Sequence, residues 1–522
     1  MNLFDEARTW KIFAGPGCGK TFEIEQAINS LLAENTQPEE IMYILFNRKP
    51  AMAFRERYLK RGFDSKQLIW WGTHHSICKR LLKIPTSRIL NMPAWGKAHG
   101  FDFAGSFEPQ HEYGWDAVLS SLSAKIYADK DNFTREEQRL LDALKETEFE
   151  EHAYCHVRYM QKALRLNLFP VGVKYVFVDE AQDNGLLQYR WLESVIARPE
   201  VKGVLIAGDD KQAINGFKGS DAQLFLDFPV ERVKEITCTH RLPRRILDEA
   251  NFIIEPVKKR SSLTTETTRK EPGTYLETEM IEEALYFLQK VVAEKKSVLV
   301  LCRNNCFIPA VQMFLASEGF PIHAEWREVL WEVIKAIHDI RLMDGVDERR
   351  LAAILPSLEK KDGALHINSY WEPGVVHKLR KGEFIDDPTM FEAFEVVRLG
   401  GILPLSRLTE LGFKPEFAEH VRKVDIPYER WNLPPELMLQ FKMSVSMFGV
   451  DVRPLRIETI HTIKGEEVDC VLLIKNITKR THEAEMEDAD SERRVWYVAA
   501  TRARETLIVT YLNQQKLRST VI

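Results

Sequence analysis

AGPGCGKT, Ala14 to Thr21, lies between WKIFA (Trp10–Ala14), which reads as a strand, and FEIEQAINSLLAE (Phe22–Glu34), whose apolar residues recur at helical spacing. Its glycines let backbone N–H groups turn inward around a chain of phosphates, Lys20 can neutralise the outer oxygens, and the Thr21 hydroxyl can ligate Mg²⁺. The opening position is Ala14 where the strict pattern has glycine, but strand, loop and helix follow in the order a phosphate loop requires. Ala14, Gly15, Gly17, Cys18, Gly19, Lys20 and Thr21 are therefore the candidate nucleotide-binding set. The plain alternative is a Gly-rich turn that happens to precede Lys-Thr.

A chain of 522 residues has room for two to four domains, and 45% apolar with 29% charged residues describes an ordinary globular protein. The longest apolar runs, such as VLVLC (Val298–Cys302), fall far short of the ~20 residues that span a bilayer. MNLFDEARTW at the start has no basic region leading to an apolar core. A bacterial or phage-infected host cytosol is the expected location, with no membrane partner. Seven cysteines without a CxxC pair fit a reducing compartment. Cys302 and Cys306 have a spacing that could suit a metal, but no second ligand cluster is near in sequence, and strand-end packing explains them more simply. The net charge of −5 argues against a uniformly basic nucleic-acid coat and leaves a local groove open.

A second nucleotide signal is VKYVFVDEAQD (Val173–Asp183), a buried parallel strand that ends abruptly in acids. Of the two adjacent carboxylates, Asp179 is placed to hold Mg²⁺ opposite the phosphate loop, and Glu180 to orient and deprotonate a water. Solvated turn residues are the alternative. A third strand, in VKGVLIAGDDKQAINGF (Val201–Phe217), brings Gln212 to where a polar side chain can sense the terminal phosphate.

With these in place, the ordered segments resemble superfamily 1 helicases of the UvrD/Rep/PcrA group. The phosphate loop and VDEAQD are similar to its Walker motifs, ILFNRKPAMAFRER (Ile44–Arg57) to motif Ia, and GTHHSICKRLL (Gly72–Leu82) to motif Ib. GDDKQAINGFKGS (Gly208–Ser220) resembles motif III, THRLPRRILDEAN (Thr239–Asn251) motif IV, IETIHTIKGEEVD (Ile457–Asp469) motif V, and SERRVWYVAATRARETLIVTY (Ser491–Tyr511) motif VI. The resemblance implies an α/β fold of two RecA-like P-loop motor lobes, each a parallel sheet flanked by helices, with a mainly helical insertion in each lobe. On this plan, 1–85 and 171–270 form the first lobe and 86–170 its insertion, where Thr134–Leu166 has good helical periodicity. Residues 271–343 and 450–522 form the second lobe. Its insertion, 344–449, contains Pro/Gly breaks and is shorter than usual for the group. The acidic stretch THEAEMEDADSE (Thr481–Glu492) reads as a solvated loop. With the sequence ending soon after motif VI, no appended nuclease domain is expected, and the compact size suits a phage-type member.

Carried over residue by residue, the resemblance makes Arg502 and Arg241 the cations that reach the terminal phosphate, beside Lys20, Asp179, Glu180 and Gln212. It points Phe46, Asn47, His74, His75, Phe217 and His461 toward single-stranded DNA, a track that a sequence-tolerant motor grips by backbone contacts and base stacking. Departures are His74 for a usual Phe, Phe217 for Trp, Asn215 for Tyr and Lys218 for Arg. Core packing is the alternative for Phe46 and Phe217. At the base end, MNLFDEARTW is too short to hold the Gln-containing segment with which relatives read adenine. Phe22 replaces an Arg over the base and His240 a Tyr beneath it, Glu467 matches the residue that reaches the ribose, and Gly465 belongs to the same set. The expectation is a base held by stacking alone, with ATP and other nucleoside triphosphates discriminated poorly. The function implied is an ATP- and Mg²⁺-dependent translocase on single-stranded and partly duplex DNA that unwinds with 3′ to 5′ polarity in replication, repair or recombination, with accessory proteins of those pathways as partners. Alternatives are the 5′ to 3′ branch, an ATP-gated recruitment protein that never unwinds, and RNA as the track.

Overall fold

A computed structural model describes residues 3–103, 114–320, 322–323, 343–347, 388–399, 401–423, 455–512 and 519–521. The chain divides into two compact units, Met1–Leu285 with Leu301–Asn305 and Glu458–Ile522, and Tyr286–Val300 with Cys306–Ile457.

The first unit is organised by a six-stranded sheet of β1 (Thr9–Ala14), β2 (Ile41–Leu45), β3 (Trp71–Thr73), β4 (Tyr175–Val178), β5 (Gly203–Gly208) and β6 (Arg232–Ile236), in the order β3-β2-β4-β5-β1-β6. Every pairing is parallel. Each residue of β2 and β5 is buried, as the apolar runs IMYIL and GVLIAG require when helices cover both faces. The helices that precede β5 in the chain are α1 (Lys20–Ala33), α2 (Arg48–Lys60), α3 (His74–Leu81), α4 (Met92–His99), α5 (Trp115–Tyr127), α6 (Arg135–Glu150), α7 (His156–Arg165) and α8 (Leu186–Ile196). On one face, Ile24, Ile28 and Leu31 of α1 and Phe54 and Tyr58 of α2 pack with Ile12, Tyr43 and Leu205. The spacing of the α1 trio is what puts one stripe on the sheet, and truncating Ile28 there would cost about 2–5 kcal/mol. Leu192 and Val195 of α8 and Met160 of α7 pack on the other face with Met42, Ile44, Val176 and Ile206.

Register positions the site. Phe13 pairs with Gly208 and Val178 with Ile206, so the loops after β1, β4 and β5 leave the sheet side by side at its carboxyl edge, where open α/β sheets bind ligands. Helices α4 to α6, with Val157 of α7, pack around a separate apolar cluster that includes Trp95, Phe101, Leu122, Leu141 and Leu144. Thr134 and Glu137 make a reciprocal capping box that starts α6.

Also in the first unit, Thr274–Glu277, Val468–Ile474 and Ala503–Thr510 are parallel strands of a second sheet, and the helix Ala489–Ala500 is buried from Arg494 to Ala500. The acidic stretch Thr481–Glu492 is helical, which corrects the loop expected from its charge. Thr478 and Asp488 supply side-chain caps to successive helices, Lys479–Glu487 and Ala489–Ala500, and Glu485 and Glu492 are buried. Arg303 meets Glu492 through two hydrogen bonds of 2.8 and 2.6 Å, which explains why that acid is tolerated inside.

In the second unit, Ile322–His323 pairs in parallel with Leu455–Arg456, and Gly345–Val346 pairs antiparallel with Leu403–Pro404. The helices Pro388–Arg398 and Pro415–Lys423 flank a 3-10 turn at Leu405–Leu411. The Pro/Gly breaks at 354–364, 370–376 and 432–437 lie outside the described residues. Cys306 of this unit is exposed, and Cys302 of the first unit is buried at the end of its strand.

Candidate functional site

The residues of the site all belong to the first unit. After β1 the chain turns through Gly17 (φ 72°) and Gly19 (φ 88°), left-handed conformations that favour glycine, and enters α1 at Lys20. A Cβ on Gly17 would lie 2.3 Å from Cβ of Arg241, so glycine is needed there for close approach as well as for backbone shape. Thr239 Oγ1 donates to Pro16 O (2.7 Å) and His240 N to Gly17 O (3.1 Å), tying the loop to the Thr239–Arg241 segment. Ala14 is buried at the strand end, and Cys18 is a buried thiol pushed up to about 12, first by burial and then by Asp209, hence unreactive.

Lys20 Nζ donates to Glu180 Oε1 (2.7 Å) and lies 3.9 Å from Asp179 Oδ1. Burial works against its charge, but the two carboxylates outweigh burial and raise its pKa. Thr21 Oγ1 and Tyr43 Oη both donate to Asp179 Oδ2 (3.0 and 3.2 Å). Glu180 sits at φ 53°, ψ 40°, a strained position for a residue with a side chain and one often met at functional sites. Burial opposes its ionisation, yet Lys20 and Lys464 hold its pKa down at about 2.

Gln212, at the end of the β5 loop, bonds to Arg502, whose Nη2 donates to Gln212 Oε1 (2.9 Å). Arg502 is 1% exposed and also donates to the carbonyls of Val498 (2.9 Å) and Glu466 (3.1 Å). Burial, then Arg241, lowers it to about 9. Arg241 pairs with Glu467, and Arg504 Nη2 reaches the same carboxylate at 2.6 Å. Glu467, assigned to the ribose by resemblance, is thus the shared counter-charge of two arginines. Phe22, 60% exposed, and His240, whose Nδ1 is 2.9 Å from Thr268 Oγ1, line the cavity along with Gly465.

That cavity, about 710 Å³, carries seven cations (Lys20, Arg57, Arg241, Arg269, Lys464, Arg502, Arg504) against three carboxylates (Asp179, Glu180, Glu467). A surplus of four positive charges beside the amino end of a helix is chemistry for a polyphosphate. The paired hydroxyl and carboxylate of Thr21 and Asp179 are hard oxygen donors of the type that holds Mg²⁺ together with phosphate oxygens.

The candidate track residues divide. Phe46, Phe217 and His461 come together around Lys218, whose Nζ is 5.6 Å from the Phe46 ring centre and 5.3 Å from that of Phe217. Phe217 meets His461 edge to face at 5.4 Å. Burial, then Arg303 and Lys218, pushes His461 down to about 3, so its ring is neutral. Asn47 lines the nucleotide cavity. His74 is 4% exposed with its ring edge-on to Trp191 at 5.8 Å, which corrects its placement against a strand: the first turn of α3 points it into the core. His75 is half-buried and hydrogen-bonded to Tyr127 Oη of the insertion (Nε2 to Oη 2.8 Å).

Residues 3–161 and 131–232 match the UvrD/REP helicase N-terminal domain, and 447–514 match the UvrD-like helicase C-terminal domain. The chain belongs to the UvrD/Rep family of superfamily 1 helicases. The ATP-dependent DNA helicase PcrA of Staphylococcus aureus is 23% identical over 602 aligned residues, covering 97% of this chain and 81% of that protein. PcrA of Staphylococcus epidermidis is 22% identical, over 96% of this chain and 80% of its own. A solved structure titled "The structure of PRRSV helicase" aligns at TM-score 0.30 and 13% identity, over 97% of this chain and 53% of that one, a likeness too low to bear on the fold.

In this UvrD/Rep helicase the structure adds residues that the motif comparison passes over. Lys464 Nζ donates to Asp183 (2.8 and 2.6 Å) and to Gln212 O (2.6 Å), and Asn215 Nδ2 donates to Asp183 Oδ1 (3.0 Å). Gln182 Nε2 donates to Glu180 Oε2 (2.6 Å), and Gln182 Oε1 accepts from Asp209 N (3.1 Å). A signal for the last group exists in the sequence: Asp179-x-x-Gln182 and Asp209-x-x-Gln212 repeat one spacing at the ends of adjacent strands.

Proposed function

We propose that this helicase hydrolyses ATP, with Mg²⁺, to step along single-stranded DNA and separate strands with 3′ to 5′ polarity in replication, repair or recombination, between lobes bounded as 1–85 with 171–270 and 271–343 with 450–522. The observation that carries it is a coupling of two loops. Gln212 and Phe217 lie on one, and Lys464 and His461 on the other. The loops bond at the phosphate end (Lys464 Nζ to Gln212 O, 2.6 Å) and touch at the ring end (Phe217 to His461, 5.4 Å). A shift of either phosphate-end residue moves a ring on which a base could stack.

The chain's own groups have defined tasks. Backbone N–H groups from Gly17 to Thr21 and the Lys20 ammonium would bind the phosphates, and Thr21 and Asp179 would hold Mg²⁺, which when bound supplies further charge stabilisation. Phosphate oxygens compete with Glu180 for Lys20. A carboxylate freed of that ammonium regains basicity, so Glu180 becomes able to take a proton from water when the site is filled. Arg241 and Arg502 stabilise charge on the transferring group. Phe22 and His240 would hold the base by its faces, a grip that reads no base edge, and ATP and GTP would then be used with comparable kcat/KM. A preference above about a hundredfold would contradict that grip.

Steady-state hydrolysis with and without single-stranded DNA tests the activity. Stimulation by the strand is expected, and its absence would remove the motor reading. An ATP-gated recruitment protein would show stimulation without strand displacement from any tailed duplex.

A further inference from the structure

Five hydrogen bonds run in series across the site. Lys20 Nζ donates to Glu180 Oε1, Gln182 Nε2 to Glu180 Oε2 (2.6 Å), Asp209 N to Gln182 Oε1 (3.1 Å), Gln212 Nε2 to Asp209 Oδ2 (2.7 Å), and Arg502 Nη2 to Gln212 Oε1 (2.9 Å). Asp209 stands at the centre, 2% exposed, and none of the chemistry above uses its carboxylate.

An amide has one accepting and one donating end, so each glutamine in the series has a direction. Gln212 must turn its oxygen to the Arg502 guanidinium, which can only donate, and this leaves its NH₂ for Asp209. Asp209 can receive that NH₂ only as an acceptor. Its other oxygen already accepts from Lys211 N (3.1 Å). A proton on the carboxyl puts a donor against a donor. The relief is a flip of the Gln212 amide, which would aim NH₂ at Arg502.

We propose that Asp209 is a positioning residue for hydrolysis: its ionised carboxylate fixes the direction of the Gln212 amide and so holds Arg502 in register with Glu180. The inference rests on the proposed ATPase activity. Burial, then Asp210, raises Asp209 to about 6, which brings its loss of charge into an accessible range. The charged and titratable groups facing it are Cys18 and Lys20 from the phosphate loop, Tyr497 from the helix Ala489–Ala500, and its neighbours Asp210 and Lys211. A group raised in this way keeps its charge above pH 6 and loses the positioning function below it.

The test compares kcat for DNA-stimulated ATP hydrolysis by the wild type and Asp209→Asn from pH 8 to pH 5, ATP and DNA being common to both. Asp209→Asn should be slower by about tenfold at pH 8, at KM within about twofold, and the gap should close to about twofold or less at pH 5, where the wild type has lost the same charge. A ratio that stays constant with pH would make Asp209 a packing residue and overturn the proposal. Gln212→Met, which removes the amide but leaves Asp209, should converge with the wild type in the same way, and serves if Asp209→Asn does not fold. Absence of hydrolysis by the wild type at pH 8 would overturn the functional reading together with the proposal, whereas active enzyme with parallel profiles would overturn the proposal alone.

Discussion

Replacing Lys464 with Met should destabilise the first unit in a way that depends on pH. The Lys464 side chain is 5% exposed and that of Asp183 0%, and the ammonium makes bonds of 2.6 and 2.8 Å to the two carboxylate oxygens. Methionine fills much of the volume but leaves Asp183, among the described residues, with Asn215 as its side-chain donor in place of a cation. Burial already raises Asp183 against the pull of Lys464, and without Lys464 the carboxyl takes up a proton in the folded state. Keeping a carboxyl of ordinary pKa neutral at pH 7 costs as much as about 4 kcal/mol, and at pH 5 about 1.5 kcal/mol. The sign follows from linkage: a carboxyl whose folded pKa is raised loses stability as pH climbs above its unfolded value. Urea unfolding of wild type and Lys464→Met at pH 7 and pH 5 reads both numbers. A deficit of about 3–4 kcal/mol at pH 7 that shrinks by about half or more at pH 5 is expected. A deficit below about 1 kcal/mol, or one unchanged by pH, would show that Asp183 does not depend on Lys464 for its charge.

Glu180→Gln should lower the single-turnover hydrolysis rate by at least about a hundredfold while nucleotide and DNA binding persist; fast turnover would mean that another group takes the proton. Arg502→Lys should lower kcat by about 10²- to 10³-fold, since one nitrogen cannot span the positions from which Nε, Nη1 and Nη2 reach Val498, Glu466 and Gln212, and a kcat within tenfold of wild type would count against the assignment. Phe217→Ala should slow translocation more than hydrolysis, and unchanged stepping in a stopped-flow translocation assay would return Phe217 to a packing role. Burial lowers His75 to about 3, so stability tied to its neutral form is present above pH 6.5 and lost as pH falls. His75→Asn should remove about 1.4 kcal/mol per pH unit from the acid slope of the unfolding free energy between pH 6 and 4.

The phosphate end was legible because its chemistry is local in the chain: loop, strand-end acids and glycines fall within short segments whose order announces their partners. Phe46, Phe217 and His461 were legible as a set by resemblance, and the structure gathers them around Lys218. His74 was misplaced because its direction is decided by Trp191, far away in sequence, and by the turn of α3. Asp209 and Gln182 were passed over for the same reason. The repeated Asp-x-x-Gln spacing marks them in the sequence, but which way each amide points and which neighbour it meets across the strands is set by the fold. The acidic Thr481–Glu492 stretch turned helical because two caps and the Arg303 partner of Glu492 outweigh charge, terms that composition does not carry.

The central claim is that one strand-gripping motor couples the cation-rich cleft to the ring cluster. The purified protein with ATP and Mg²⁺ should displace an oligonucleotide from a duplex with a 3′ single-stranded tail and leave a 5′-tailed duplex intact. Displacement from neither, in a preparation whose hydrolysis is stimulated by single-stranded DNA, would contradict it.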